Sequence, residues 1–447
     1  MQNDARDNPP PQAPPPPDPR VVPAAYITAD IPPIGGVIKQ RPEDFLVEET
    51  PLYQPCGEGE HIYLFVEKRG LSTLEMVEII ARHFRVDRRA VGYAGMKDKP
   101  AITRQVVSVH VPGKKIEDFP SLEHDRVGVL WADYHTNKLR TGHLAGNRFS
   151  IRIRGVPATA ALPAKKVLDR LERTGVPNRF GEQRFGHCAN NHLVGRAILL
   201  GDAPGALEHL LAPCPDHPEQ QPEGRALFAQ GRYAEAIDAF PRSLRTERNA
   251  LAMLARGVPP DRILARLDDR IRKFMLSAFQ SAVFNAVLDA RVLDGSFGTL
   301  RLGCIAHIHA TRGQFHVTPD VLAEPDLADR AARLELSPTG PMWGVSMRRC
   351  DGASGEIERR CLEAAGVTTD DLDRYAARPT SRGSHDIEGA RRPLRVPVIA
   401  PQVEGGVDEH GSYVRVAFEL ERGAFATVVL REIMKPASGA SIESEAG

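Results

Sequence analysis

Apolar and polar residues alternate in the stretch GVIKQRPEDFLVEE that begins near Val37, the period of a strand with one buried face. HIYLFVEK over residues 61–68 reads as a second strand. In LSTLEMVEIIARHFRV the period lengthens: Leu74, Val77, Ile80, Ala81 and Phe84 share one helical face, while Ser72 and Glu75 have the spacing of a capping box. A helix is predicted to start near Ser72. The glycines and proline of VGYAGMKDKPAITRQ oppose regular structure and make that segment a loop, and the β-branched VVSVHV after it reads as a strand.

Farther along, RFSIRIR (148–154) places Phe149, Ile151 and Ile153 on one face and Arg148, Arg152 and Arg154 on the other. An apolar face against the core leaves the arginines outward. Helical spacing over 162–173 ends at Gly175, Val176 and Pro177. Helices dominate from there: 250–254, 260–267 and a strong one at 271–293, where Phe274, Ala278, Val283 and Phe284 recur at core spacing. Residues 337–344 (SPTGPMWG) and 378–397 read as loops, and the chain closes with a strand at 413–420 and a helix near 424–435.

Length adds that 447 residues exceed one ordinary core, so two domains are expected. Composition, 42% apolar and 26% charged, is globular, and no apolar run approaches the roughly 18 residues of a membrane span. The start lacks the basic-then-apolar sequence of a secretory signal, which makes a cytoplasmic, membrane-free protein the expectation. Residues 3–20 are polar and Pro-dominated, too poor in apolar surface to order as part of a core. The six cysteines are scattered without a CxxC pair and are expected to be reduced thiols. Lys plus Arg and Asp plus Glu both total 58, but between Lys138 and Arg196 twelve basic residues face three acidic ones, an excess suited either to a phosphate backbone or to a solvated basic face.

The candidate chemistry lies in GYAGMKDKP. Gly92 and Gly95 permit close approach of the backbone to a ligand, and Asp98 sits between Lys97 and Lys99, whose charges favour its ionised form. A loop-borne ionised carboxylate is a candidate nucleophile or base, although a KDK triplet between helix and strand also suits an exposed turn. His187, Cys188 and His192 raise the question of a metal, but their spacing fits no standard zinc pattern and no metal site is assigned.

The run AGMKDKPAITRQ, with Gly95, Lys97, Asp98, Ala101, Thr103 and Gln105 in place, closely resembles the signature loop of the TruD family of tRNA pseudouridine synthases. Further family-like blocks follow in family order: IKQRPEDFLVEE (through Glu49), LRTGHLAGNRFSIRIR (139–154), GVPNRFGEQRFG (175–186), FQSAVFN (279–285) and RGAFATVVLREIMK (422–435). The resemblance spans residues 33–435, and ordered blocks of this number are far more specific than one short motif. The Pro-rich start and the stretch around 201–245 depart from the family pattern.

The resemblance implies an α/β protein of the α+β type. Its pseudouridine synthase catalytic domain, residues 22–177 plus 400–447, would be interrupted by an inserted TRUD domain over 178–399 and preceded by a disordered tail at 1–21. It implies isomerisation of a specific tRNA uridine, position 13, by an aspartate nucleophile acting on a flipped-out base, with Asp98 in that role and no cofactor. Asn147 and Phe149 in GNRF are the implied partners of the nucleophile and the base, Phe45 and Phe425 line the base pocket, and Lys39 is a basic residue beside it. Lys97, Arg179 and Arg184 are the expected RNA contacts, tRNA is the expected partner, and a monomer the expected state. Two rivals use the same features: a non-catalytic RNA-binding or RNA chaperone protein, which has no need of Asp98, and a metal-dependent nuclease, which needs an acidic cluster absent from the neighbourhood of Asp98 in sequence.

Overall fold

The structure, a computed structural model, describes residues 26–214, 217–378 and 387–436. The predicted tail, residues 1–21, lies outside the described residues. Those residues form two compact units: the chain builds the first over Tyr26–Asn178, leaves it, and returns to it at Arg395, with residues 332–334 also assigned there. The second comprises 179–331 and 335–394.

Among the described residues of the first unit, eight strands make one mixed sheet. They are β1 (Phe45–Pro51), β2 (His61–Arg69), β3 (Val91–Tyr93), β4 (Ile102–His110), β5 (Val127–His135), β6 (Leu144–Arg154) and the C-terminal hairpin Ile399–Asp408 and Gly411–Glu421. The hairpin pairs onto β6, then come β1, β4, β2 and β5, with β3 pairing on β4. Only β1 and β4 run parallel. Register explains the core: Val47 faces Phe149 and Phe149 faces Phe418, while Phe45 faces Ile151 and Ile151 faces Val416. Period-two alternation therefore puts all of them on one side. That side is covered by helix α2 (Ala161–Thr174) through Val167, Leu168 and Leu171, and by the C-terminal helix Ala426–Met434.

Helix α1 (Thr73–Phe84) starts where predicted: Ser72 Oγ accepts the Glu75 N–H, and a Glu75 carboxylate oxygen accepts the Ser72 N–H at 2.7 Å. Its apolar stripe is Met76, Val77, Ile80, Ala81 and Phe84, packed on Ile62, Leu64 and Val66 of β2 and Val107 and Val109 of β4. Leu74, assigned to that stripe from the sequence, is exposed on the first turn instead.

Arg154 corrects a second expectation. Arg148 is exposed, but Arg154 is buried, its Nε and Nη2 donating to Asp44 Oδ1 at 3.0 and 2.6 Å and its Nη1 and Nη2 to the two Asp408 oxygens at 2.7 and 2.9 Å. The turn before β1 and the tip of the C-terminal hairpin both close over the end of β6, and only a forked cation can satisfy two carboxylates there.

In the second unit the long helix Asp269–Leu293 is packed by shorter helices, including Asn191–Leu200, Ala203–Leu211 and Arg245–Ala255. Of its four residues at core spacing, Ala278, Val283 and Phe284 are buried and Phe274 is exposed. Residues Leu336–Met342, read from the sequence as loop, form a strand between Ile305–Ile308 and Ala390–Pro393. The glycine that suggested a loop is there for packing, since a Cβ on Gly340 would come within 2.8 Å of Leu394 and 2.9 Å of Phe284. Cys188 and Cys214 form a disulfide with Cα atoms 5.9 Å apart, against the expectation that all six cysteines are thiols. Their 26-residue separation hides the pairing, which the intervening helices create. Cys56, Cys304, Cys350 and Cys361 are free.

Candidate active site

The loop from Ala94 to Ala101 joins β3 to β4, and each turn of it is tied down from below. The Lys97 N–H donates to Thr73 Oγ1 at 2.9 Å, Gln105 Nε2 donates to the Gly95 carbonyl at 3.2 Å, and the Gly142 N–H donates to the Ala94 carbonyl at 2.7 Å. Lys68 Nζ donates to the Asp98 carbonyl at 2.8 Å and to the Leu71 carbonyl at 2.6 Å. The main chain is thus fixed while the Asp98 carboxylate stays 47% exposed.

The charges around it are not those the sequence suggested. Lys97 turns inward, its Nζ 2.6 Å from Glu49 Oε2 with both side chains buried, and Lys99 pairs with Glu75 at 3.3 Å. The partner of Asp98 is Lys39, whose buried ammonium lies 2.8 Å from Asp98 Oδ2 and 4.6 Å from the centre of the Phe45 ring. Residue spacing along a loop says which side chains are adjacent in the chain, but neighbours one apart in an extended segment point to opposite sides. Lys97, which the resemblance implies as an RNA contact, has its ammonium on a buried carboxylate in this structure. Burial pushes the Glu49 carboxyl above its ordinary range, with the Lys97 ammonium pulling against it. Gly92 likewise makes room for the chain itself rather than for a ligand, since a Cβ there would strike the Leu139 carbonyl.

Asn147 lies on β6 directly across from Glu49 on β1, which places it at the foot of the same loop. Its Oδ1 is buried and has no hydrogen-bond partner among the described residues. Phe149 and Phe45 are both buried in the main core, Phe149 with its ring 5.6 Å from that of Phe418. Phe425 differs: it caps the C-terminal helix at 43% exposure, while its neighbours Ala424 and Ala426 belong to the same core cluster as Ala101.

Arg179 and Arg184 sit in the second unit and are occupied there. Arg179 pairs with Asp289 of the long helix, and Arg184 donates to Ser281 Oγ at 3.3 Å and Ser277 Oγ at 2.9 Å, with its guanidinium near the rings of Phe180 and Phe274. Burial lowers the affinity of Arg184 for its proton and raises that of Asp289. In this structure these donors of both side chains are turned to the protein.

Lys68, Glu49, Thr73 and Gln105 hold the loop, and sequence reasoning gave none of them a role. The signal was present for two. Phe45, Val47 and Glu49, like Ile62, Leu64, Val66 and Lys68, are in phase on a buried strand face, and a charge in phase with a core stripe needs a partner.

Among the described residues no group of three or more His, Cys, Asp or Glu side chains is arranged to hold a metal ion, and no helix is long and apolar enough to cross a membrane. Fold and site together define an α+β enzyme built to present one loop-borne carboxylate beside an ammonium. Residues 22–433 match the sequence model of tRNA pseudouridine synthase D (TruD). The tRNA pseudouridine synthase D of Geobacter metallireducens is 44% identical over 414 residues, covering 92% of this chain and 97% of the relative. That of Syntrophotalea carbinolica is 41% identical, covering 92% of this chain and 99% of the relative. A solved structure from Methanosarcina mazei, assigned as a tRNA pseudouridine synthase D, superposes with a TM-score of 0.78 at 26% identity, covering 92% of this chain and 95% of that one. The chain belongs to the TruD family of tRNA pseudouridine synthases, isomerases that convert uridine to pseudouridine.

Proposed function

We propose that Asp98 is the nucleophile of this isomerisation, that position 13 of certain tRNAs is the uridine it acts on, and that the first unit carries the chemistry. The observation that carries this reading is the Asp98 carboxylate itself, half exposed on a main chain fixed from below and paired at 2.8 Å with Lys39. The reaction breaks the bond from ribose C1′ to N1 of uracil and forms one from C1′ to C5. C5 loses a proton and N1 gains one, so the product has the atoms of the substrate and no co-reactant is needed. A single carboxylate can attack and later be released unchanged. Lys39 places a cation within hydrogen-bond distance of that carboxylate.

The base has to leave its stack to reach Asp98, at a cost of a few kcal/mol that stacking on protein aromatics offsets. Exposure favours Phe425 for this over Phe149 and Phe45, which serve the core. Asn147, whose acceptor oxygen has no hydrogen-bond partner among the described residues, suits a donor on the base such as N3–H. A tRNA substrate also implies a cytoplasmic setting.

Unmodified tRNA incubated with the protein in excess EDTA, with nothing else added, should gain one pseudouridine, at position 13. Product elsewhere and none at 13 would sink the assigned position, and loss of all product on chelation would sink the mechanism. Phe425→Ala should slow the single-turnover rate by about 5- to 150-fold, the kinetic equivalent of roughly 1–3 kcal/mol of base stacking, and leave thermal stability nearly unchanged because the ring is exposed. A rate equal to wild type would remove Phe425 from the base pocket.

A further inference from the structure

We propose that Lys68 is a positioning residue for the reaction: its buried ammonium grips the main-chain carbonyl of Asp98 and so sets where the carboxylate is presented. The inference rests on Asp98 being the nucleophile. On β2 the side chains of Ile62, Leu64 and Val66 enter the core beneath α1, and Lys68 continues that face with 0% of the residue exposed. Its hydrogen bonds go to two carbonyls, Asp98 at 2.8 Å and Leu71 at 2.6 Å. Burying an ammonium is costly unless a carboxylate and further hydrogen bonds compensate it, and an apolar side chain of similar volume is often as stable or more so. Two carbonyl bonds are a poor return for fold stability alone.

They are a good return for geometry. Asp98 lies in a loop with no sheet ladder to hold its own peptide, and the neighbouring ties act on other residues: Gly95 through Gln105, and Lys97 through Thr73 and Glu49. Lys39 holds the carboxylate itself, 2.8 Å from Oδ2, and not the main chain. Lys68 works from underneath and can stay in place throughout. A displacement of about 1 Å at a reacting group can cost about 100-fold in rate, which makes a fixed carbonyl one bond from the nucleophile's Cα valuable.

The groups facing Lys68 are Asp98 and Lys97 from the loop and Glu75 from α1. Burial draws its ammonium down to about 8, with the Asp98 charge opposing. The charge that strengthens the grip on the carbonyl is therefore lost in an accessible pH range.

The test uses the full chain. Lys68→Met, wild type and Asp98→Asn are compared in single turnover with enzyme in excess over tRNA. Lys68→Met should react about 10- to 100-fold more slowly, with tRNA affinity unchanged and thermal stability no lower than wild type. A wild-type rate, or a rate loss matched by lost affinity, overturns the proposal. Should Lys68→Met fail to fold, the wild type decides: its rate should fall as pH rises through about 8, and a flat profile across that range overturns the grip. In Lys68→Arg, whose guanidinium does not titrate, that fall should vanish, and its persistence would assign it to another group. The nucleophile is judged separately in the same assay, because an inert Asp98→Asn beside a fully active Lys68→Met removes only the role of Lys68.

Discussion

Arg154→Met should destabilise the protein by about 3–5 kcal/mol, the usual result of breaking a buried ion pair from one side. The Arg154 side chain is 3% exposed and that of Asp44 is 0% exposed, so deleting the guanidinium strands a carboxylate that no water can reach. The loss is compounded by position. Arg154 ends β6 and ties the turn before β1 to Asp408 at the tip of the C-terminal hairpin, segments more than 250 residues apart in sequence. Urea unfolding should show the loss as a lower midpoint at unchanged slope. A change under about 1 kcal/mol would mean that Asp44 is solvated or held by other donors.

The same cluster predicts an acid response. The Arg154 hydrogen bonds hold the Asp408 carboxyl at about 2, below its ordinary 3.8. A depressed carboxyl contributes stability that is fully present above its unfolded value and fades as pH falls toward its folded one. That part of the acid sensitivity, between about pH 4 and 2, should disappear in Arg154→Met.

Much of the first unit was legible because period and capping agree there. The Ser72–Glu75 box begins α1, β2 forms where its apolar run predicts a strand, and β6 follows its alternation up to Ile153. Alternation failed at Arg154 because it reports which side a residue faces and not what closes over the strand end. Leu336–Met342 was lost to its two prolines and one glycine, local breakers overruled by strands on both sides and by the close approach of Phe284. The Cys188–Cys214 bond depends on helix packing and leaves no trace in spacing.

For the site, the loop and Asp98 were readable from residue types, and the electrostatics were not. The KDK triplet invited the view that Asp98 is flanked by charge, whereas Lys97 and Lys99 are drawn off by Glu49 and Glu75 and the acting cation comes from Lys39, 59 residues earlier. Lys68 and Glu49 could have been found by asking why a charge continues an apolar stripe. Phe149 shows the converse: its alternation with Ile151 and Ile153 already described a core residue, and the structure packs it as one.

Asp98→Asn should abolish isomerisation, by more than about a thousandfold, while tRNA still binds. The amide has nearly the shape of the carboxylate, so the loop contacts through Lys68, Thr73 and Gln105 remain, and the amide oxygen can still accept a hydrogen bond from the buried Lys39 ammonium. What disappears is the anionic oxygen, and with it the nucleophile. The decisive measurement is pseudouridine formed in a single turnover on unmodified tRNA, made with wild type and Asp98→Asn at matched, saturating enzyme. Product from wild type and none above background from Asp98→Asn, with equal tRNA affinity, is the expected result; product from Asp98→Asn at a rate near wild type would contradict the assignment of Asp98 as the nucleophile.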